Sequence, residues 1–276
     1  MHAGSKGRVY GTNHSPWVQA VLLGLYEKKV SHSLRAVPSL PSLKESGLMM
    51  PSVKIDDNDW QLDSAEILKS FGYAEISNKT KSHILKTWQG VIHRADNPIK
   101  FFNSFSKVKD LNPSILTRIS HHFIRPFICI YFFCLLRLLA LSDQGRDPEN
   151  FVDQFLYWEG LLKESNSLFF GGAKPDVIDF QLFGIIQCHC SIAFNPLLEA
   201  LQSDSELAEY RNWISRMQKR FSGYPHLFSG PYFTPYLNAP IEERFIERLV
   251  FFFGLCFAIT CFPITIVFIT VLIFRR

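Results

Sequence analysis

Between Arg8 and Leu34 the chain reads RVYGTNHSPWVQAVLLGLYEKKVSHSL, and the reading of this stretch decides the fold. Residues 8–12 (RVYGT) form a short strand, and Ser15-Pro16 marks a helix start, a capping residue followed by proline at the first helical position. Trp17, Val21, Leu22 and Leu25 then recur at helical spacing. The helix ends near Lys28-Lys29, the charge that its C-terminal end prefers. Val30 to Leu34 (VSHSL) alternates as a second strand, so strand, helix and strand in so short a stretch make a βαβ unit.

Working outward, the loop AVPSLPSLKESGLMM leads to Pro51, then Ser52–Ile55, a polar turn DDND at 56–59, and Trp60–Leu62. Two short segments around a polar turn predict a β-hairpin. Asp63-Ser64-Ala65-Glu66 opens another helix with a capping-box pattern, an acceptor followed three residues later by Glu. The order βαβ then ββα points to one small mixed sheet. From about residue 80 to 222 helical spacing dominates, with an amphipathic Phe151–Leu162 segment. After Gly171-Gly172, Asp176 is placed as a cap with Asp179 positioned to reach back, ahead of a long apolar helix. Residues 223–240, with four prolines, read as a connector without regular structure.

The 276 residues suit two modest domains with an appendage. Net charge is +4 and no run of five like charges occurs, which argues against a nucleic-acid partner. With 47% hydrophobic and 20% charged residues and a mean hydropathy of +0.05, the chain is slightly too apolar for an ordinary soluble enzyme. The excess is local. Leu249–Phe274 runs 26 residues without a charge, roughly 39 Å as a helix, and predicts a single transmembrane helix over 249–274 with Pro263 kinking it. The N-terminus MHAGSKGRVYGTN has no apolar signal core. A C-terminal, tail-anchored layout with the N-terminal domains cytosolic is therefore expected. The second apolar run, 123–141, is interrupted by Arg125, Pro126 and Arg137 and predicts a core helix starting at Pro126 rather than a second span, with a lipid-touching surface as the competing reading. The six cysteines are expected as reduced thiols. Cys188-His189-Cys190 and His121-His122 lack the spacing of common zinc sites, and no metal is expected.

The segments VYGTNHSPWVQAVLLGL, MMPSVKI, LDSAEIL and FFGGAKPDVIDFQLF, in this order and spacing, resemble the glutathione S-transferase family over about residues 8–225. The resemblance implies an α/β thioredoxin-like domain at 7–76 and an all-α domain at 80–225, and the linker at 226–248 and the membrane helix at 249–274 read from hydropathy follow them. Ser15 would stand beside the thiol of glutathione at the start of the first helix. Either it serves only as a cap, or its hydroxyl and the positive helix end favour the thiolate. Met50 would offer its backbone to the cysteinyl part of glutathione beside the cis-proline Pro51. Asp63 and Ser64 would hold the γ-glutamyl end, the competing reading being a plain capping box. Met49 stands where many members have Lys, and Lys44 is a candidate contact for the glycyl carboxylate. Asp179 matches the family's structural capping Asp. No cysteine precedes Cys129, which disfavours transfer through an enzyme mixed disulfide.

Two functions follow. One is a membrane-anchored transferase that conjugates glutathione, as cosubstrate, to an apolar electrophile. The other is a scaffold of the same fold that has lost catalysis and serves as a tethered binding module. The resemblance further implies a homodimer.

Overall fold

The computed structural model describes residues 6–13, 15–35, 45, 50–56, 58–92, 116, 119–127, 129–130, 152–190, 195–228, 244–264 and 267. Lys44, Met49 and the second half of the 123–141 run lie outside the described residues.

The N-terminal unit is a four-stranded sheet in the order β2-β1-β3-β4, with β1 at Lys6–Tyr10, β2 at Ser31–Arg35, β3 at Ser52–Ile55 and β4 at Gln61–Leu62. Helix α1 (Pro16–Glu27) makes the crossover from β1 to β2, and these two strands pair in parallel, as the βαβ reading requires. β3 runs antiparallel to β1 and to β4, so the polar turn does close a hairpin. Helix α2 (Ser64–Ser70) follows β4 directly. Val9 and Val53 face the helices and are buried with Val18, Val21, Leu22, Leu25, Ile67 and Leu68, a core fixed by alternation in the strands and by spacing in the helices. A parallel β1–β2 pair joined by a helix and continued by an antiparallel hairpin and a helix is the thioredoxin-like arrangement.

The second unit is helical. Helix α3 spans Asn78–Ile92, and α4 is helical at 119–127 and 129–130. Helices α5 (Asp153–Ser165), α6 (Val177–Cys190), α7 (Asn195–Ser203) and α8 (Ala208–Phe221) follow. Helix α4 does not start at Pro126, as the sequence suggested, because residues 119–125 ahead of it are already helical. Proline is carried inside the helix where flanking turns hold it, at the expense of one backbone bond.

Asp179 organises this unit. It is fully buried and accepts from the N–H groups of Phe170 (3.0 Å), Gly171 (2.9 Å) and Asp176 (3.0 Å) and from Trp213 Nε1 (2.7 Å). Asp176 Oδ1 in turn accepts from Ile178 N–H at 2.9 Å, so the reciprocal cap read from the sequence is formed. Burial pushes the Asp179 carboxyl up to about 7, and the backbone and indole donors pull the other way. Buried Glu159 plays a similar part between α5 and α8, accepting from Tyr210 N–H at 2.6 Å at the start of α8.

Helix α6 packs along α1 and closes the core between the two units. An added Cβ at Gly184 would lie 2.2 Å from the Pro16 carbonyl oxygen, so only glycine lets α6 approach the first turn of α1. The segment after α8 is not free of structure over its first residues: Tyr224 is buried, and residues 226–228 lie against α1. Residues 229–243 lie outside the described residues.

The last helix, α9, is 16 residues long, Phe245–Thr260, so it starts before Leu249. A turn at Cys261 and further helical residues 262–264 follow. Among the described residues no helix is long and apolar enough to cross a membrane. Much of the remainder of the 249–274 run lies outside them.

Candidate functional site

The register of the sheet brings three separate segments to one end of it. Tyr10 is opposite Ser52, and Ser52 is opposite Leu62. The chain leaving β1 (Gly11–Asn13 and Ser15), the chain entering β3 (Met50-Pro51) and the chain leaving β4 (Asp63-Ser64) therefore lie side by side. The Met50–Pro51 peptide bond is cis. Gly11 has φ +144°, and a Cβ there would meet Val18 at 2.4 Å and Met50 at 3.3 Å, which is how closely these segments approach.

Ser15 occupies the N-cap of α1. Its backbone does the expected work: Ser15 N–H donates to Thr12 C=O at 3.0 Å, and Gln19 N–H donates to Ser15 C=O at 2.9 Å. Its hydroxyl makes no capping bond. The side chain is half-buried at the positive end of a 12-residue helix that has no acidic residue in its first turn. Met50 reaches the same loop from the other side, its sulfur 3.7 Å from Thr12 Oγ1.

Asp63 behaves differently. It sits at φ 68°, and Oδ1 accepts from Ala65 N–H at 2.8 Å and Glu66 N–H at 3.3 Å, which caps α2. Glu66 faces Lys81 at 3.7 Å instead of reaching back, so the cap is one-sided. Ser64 is buried, and its Oγ accepts from Gln181 Nε2 of α6 at 3.0 Å. The first-turn N–H groups of Ala65 and Glu66 are thus already taken by Asp63, as in the capping reading.

Residues that the sequence reading did not assign to the site complete the surroundings. Trp17 and Trp88 stand 6.1 Å apart between the first turn of α1 and α3. About 200° round α1 from Trp17, buried Gln19 donates to His226 C=O at 2.9 Å and accepts from Phe228 N–H at 3.3 Å. Close by, Val30 C=O can only accept from His32 Nδ1 (2.7 Å), which fixes the tautomer and leaves Nε2 to accept the Tyr224 hydroxyl proton at 2.5 Å. Burial holds the His32 imidazole below the usual histidine range. The signal that could have found Gln19 and Gln181 is the same: a lone amide inside an apolar helical run must have a partner once buried.

Among the described residues no group of three or more His, Cys, Asp or Glu is arranged to hold a metal ion. Burial pushes the Cys188 thiol up to about 12, as suits a packed thiol rather than a ligand.

No family model and no curated protein matches the chain. Similar solved structures include a glutathione transferase from Bombyx mori in complex with GTT, at 10% identity and TM-score 0.46, covering 90% of this chain and 97% of that one. A maleylacetoacetate isomerase from Anaeromyxobacter dehalogenans is similar at 15% identity and TM-score 0.41, covering 88% and 98%. Glutathione S-transferase I from maize, in complex with an atrazine glutathione conjugate, is similar at 13% identity and TM-score 0.42, covering 83% and 99%. At such identities and scores the fold rests on the strand register and connectivity given above.

Proposed function

We propose that this protein is a glutathione S-transferase-like enzyme held on a membrane by its C-terminal apolar segment, with its N-terminal units in the cytosol. The observation that carries the reading is the Ser15 hydroxyl, unused as a cap, at the start of α1, where the Met50-Pro51 and Asp63-Ser64 segments converge. Glutathione lies across these three segments, its thiol toward Ser15. The Ser15 O–H donates to the sulfur, and the helix end adds its partial positive charge, so the thiolate is favoured over the thiol with its ordinary pKa of about 8.5. The thiolate forms a C–S bond to the electrophilic carbon of an apolar acceptor, and the displaced electron pair leaves with the leaving group or takes up a proton. Trp17 and Trp88 supply an apolar wall beside that sulfur position. Met50 offers its backbone to the cysteinyl part, while Asp63, through the carboxylate oxygen that does not cap α2, faces the α-ammonium. Two such chains pair as a homodimer in this reading.

A second reading has its own support. Ser64 Oγ is engaged by Gln181 across the two units and the Asp63 carboxylate caps α2, so both serve the fold itself. A tethered binding module without catalysis would need no more than that.

Calorimetric titration of the full chain in detergent with glutathione, beside Ser15→Ala and Asp63→Asn, tests the choice. Binding in the wild type, with the thiolate absorbance lost in Ser15→Ala, is the expected result. Absence of binding at millimolar glutathione would leave the tethered module.

A further inference from the structure

The C-terminal helix does not stand alone. Gly254 of α9 rests on α4 so closely that a Cβ would lie 2.5 Å from the Phe123 carbonyl oxygen. Phe123 packs on Phe253 (6.2 Å) and Phe257 (5.7 Å), and Phe127 on Phe257 (6.0 Å). At the near end of this seam three charge-bearing side chains are buried between the helices. Arg125 Nη1 donates to His122 Nδ1 at 2.9 Å, which leaves the His122 Nε2 side turned to Glu247, 3.6 Å away. The Arg125 guanidinium also lies 4.8 Å above the Phe251 ring. From His122–Glu247 to Phe127–Phe257 the contacts advance in the same direction along both helices.

The outer surface is the reverse of this seam. Glu247, Gly254 and Ala258, the buried residues of α9, fall within about 40° of one another round the helix. The exposed side includes Phe245, Ile246, Leu249, Phe252 and Ile259. On α4, Ile119 and Ile124 (49%) are exposed in the same way. A groove-binding protein partner would cover one stripe, whereas the apolar side chains exposed on both flanks and the back of α9 beyond Arg248 suit a solvent that is itself hydrocarbon. The uncharged run continues past α9 to Phe274, and His122, Arg125 and Glu247 are turned inward on one another, while exposed Arg244 and Arg248 stand at the start of α9, the end that would meet headgroups.

We propose that α4 enters the bilayer beside α9, so that the lipid-facing unit is a pair of helices closed by the Gly254 contact, with the His122–Arg125–Glu247 cluster at its entry. The inference rests on the membrane reading of 249–274 and adds to it a second element, which the sequence had assigned to the core. The occupant of the exposed face is the acyl-chain region of a phospholipid bilayer.

The test places p-benzoylphenylalanine at Phe252, Ile124 or, as a control on α3, exposed Leu85, in the full chain reconstituted into vesicles of radiolabelled phosphatidylcholine. After irradiation, labelled adducts are expected at 252 and 124 and none at 85. An adduct at 252 alone overturns the paired unit and leaves a single-helix anchor, while adducts at neither overturn both. Ile119 serves as the second position if the Ile124 protein is not retained in the carbonate-resistant membrane fraction. Gly254→Leu, which forces the helices apart, is expected to reduce the adduct at 124 at least about fivefold and to keep that at 252. An undiminished adduct at 124 in that variant overturns the role given to the Gly254 contact.

Discussion

Ser15 and Asp63 stand at the same point of their helices and use it differently. Asp63 caps α2 through its side chain, whereas the Ser15 hydroxyl makes no capping bond on α1. Asp63→Ala is therefore expected to lower the unfolding free energy by about 1 kcal/mol in urea titrations, and Ser15→Ala to change it by less than about 0.5 kcal/mol. Under the transferase reading the order reverses for turnover: Ser15→Ala lowers kcat/KM of conjugation by about tenfold to a hundredfold, with the kinetic pKa of the bound thiol moving upward. A second residue-scale prediction concerns His189, which is buried with neither ring nitrogen hydrogen-bonded among the described residues, and whose imidazole burial lowers to about 3. The unfolded chain takes up this proton near its ordinary pKa of about 6.5, so unfolding gains protons as the pH falls and stability is lost through that window. In His189→Leu that loss is absent. The difference in unfolding free energy between variant and wild type should grow by up to about 1.4 kcal/mol per pH unit below 6.5.

At the scale of elements, what the sequence discloses is what is locally determined. Strand β3 and the hairpin turn were readable because the turn is polar and the flanks apolar, and the Asp176–Asp179 reciprocal cap because both partners lie within one turn. Contacts such as Gln181 to Ser64, 117 residues apart, or Gln19 to His226, 207 residues apart, leave only half of their signal at each end. The same holds for α4: Arg125 read as a break in an apolar run because its partners, His122 in the preceding turn and Phe251 far along the chain, form an environment only when folded. The cap that Asp63 makes on α2 was legible because acceptor and donors lie within one turn, whereas the bond of Ser64 to Gln181 was not. Asp179→Ala removes one acceptor shared by four buried or half-buried donors and should cost about 3 kcal/mol or more, read as a lowered urea midpoint. Gly184→Ala should also destabilise, by about 1–3 kcal/mol, because the new methyl meets backbone rather than a side chain that can turn away. Under the transferase reading Gly184→Ala also lowers conjugation, since the displaced residue is Pro16, adjacent to Ser15.

For the whole molecule, the two units are joined by more than the apolar α1–α6 face. Arg220 of α8 pairs with Glu27 at the end of α1, Gln181 bonds Ser64, and the 224–228 segment crosses back to α1 and β2. Each is modest alone, and the exposed Arg220–Glu27 pair is worth little in salt. Together they fix the second unit against the first turn of α1. Gln19→Ala should free the 226–228 segment, seen as faster amide exchange at Phe228 with little change in global unfolding.

The intimacy of α1 with α6 has an outcome for what happens when the polypeptide is severed. Leu22, Leu23 and Leu25 have no exposed surface in the intact chain, and the face toward α6 would be bare on a fragment ending near residue 76. Such a fragment should precipitate or bind a hydrophobic dye when made alone, and regain solubility when the complementary piece beginning near residue 77 is supplied in trans. The region bearing Ser15 is then half of a cooperative unit whose other half is encoded more than a hundred residues downstream, so a nick between the two would be silent until the halves are pulled apart.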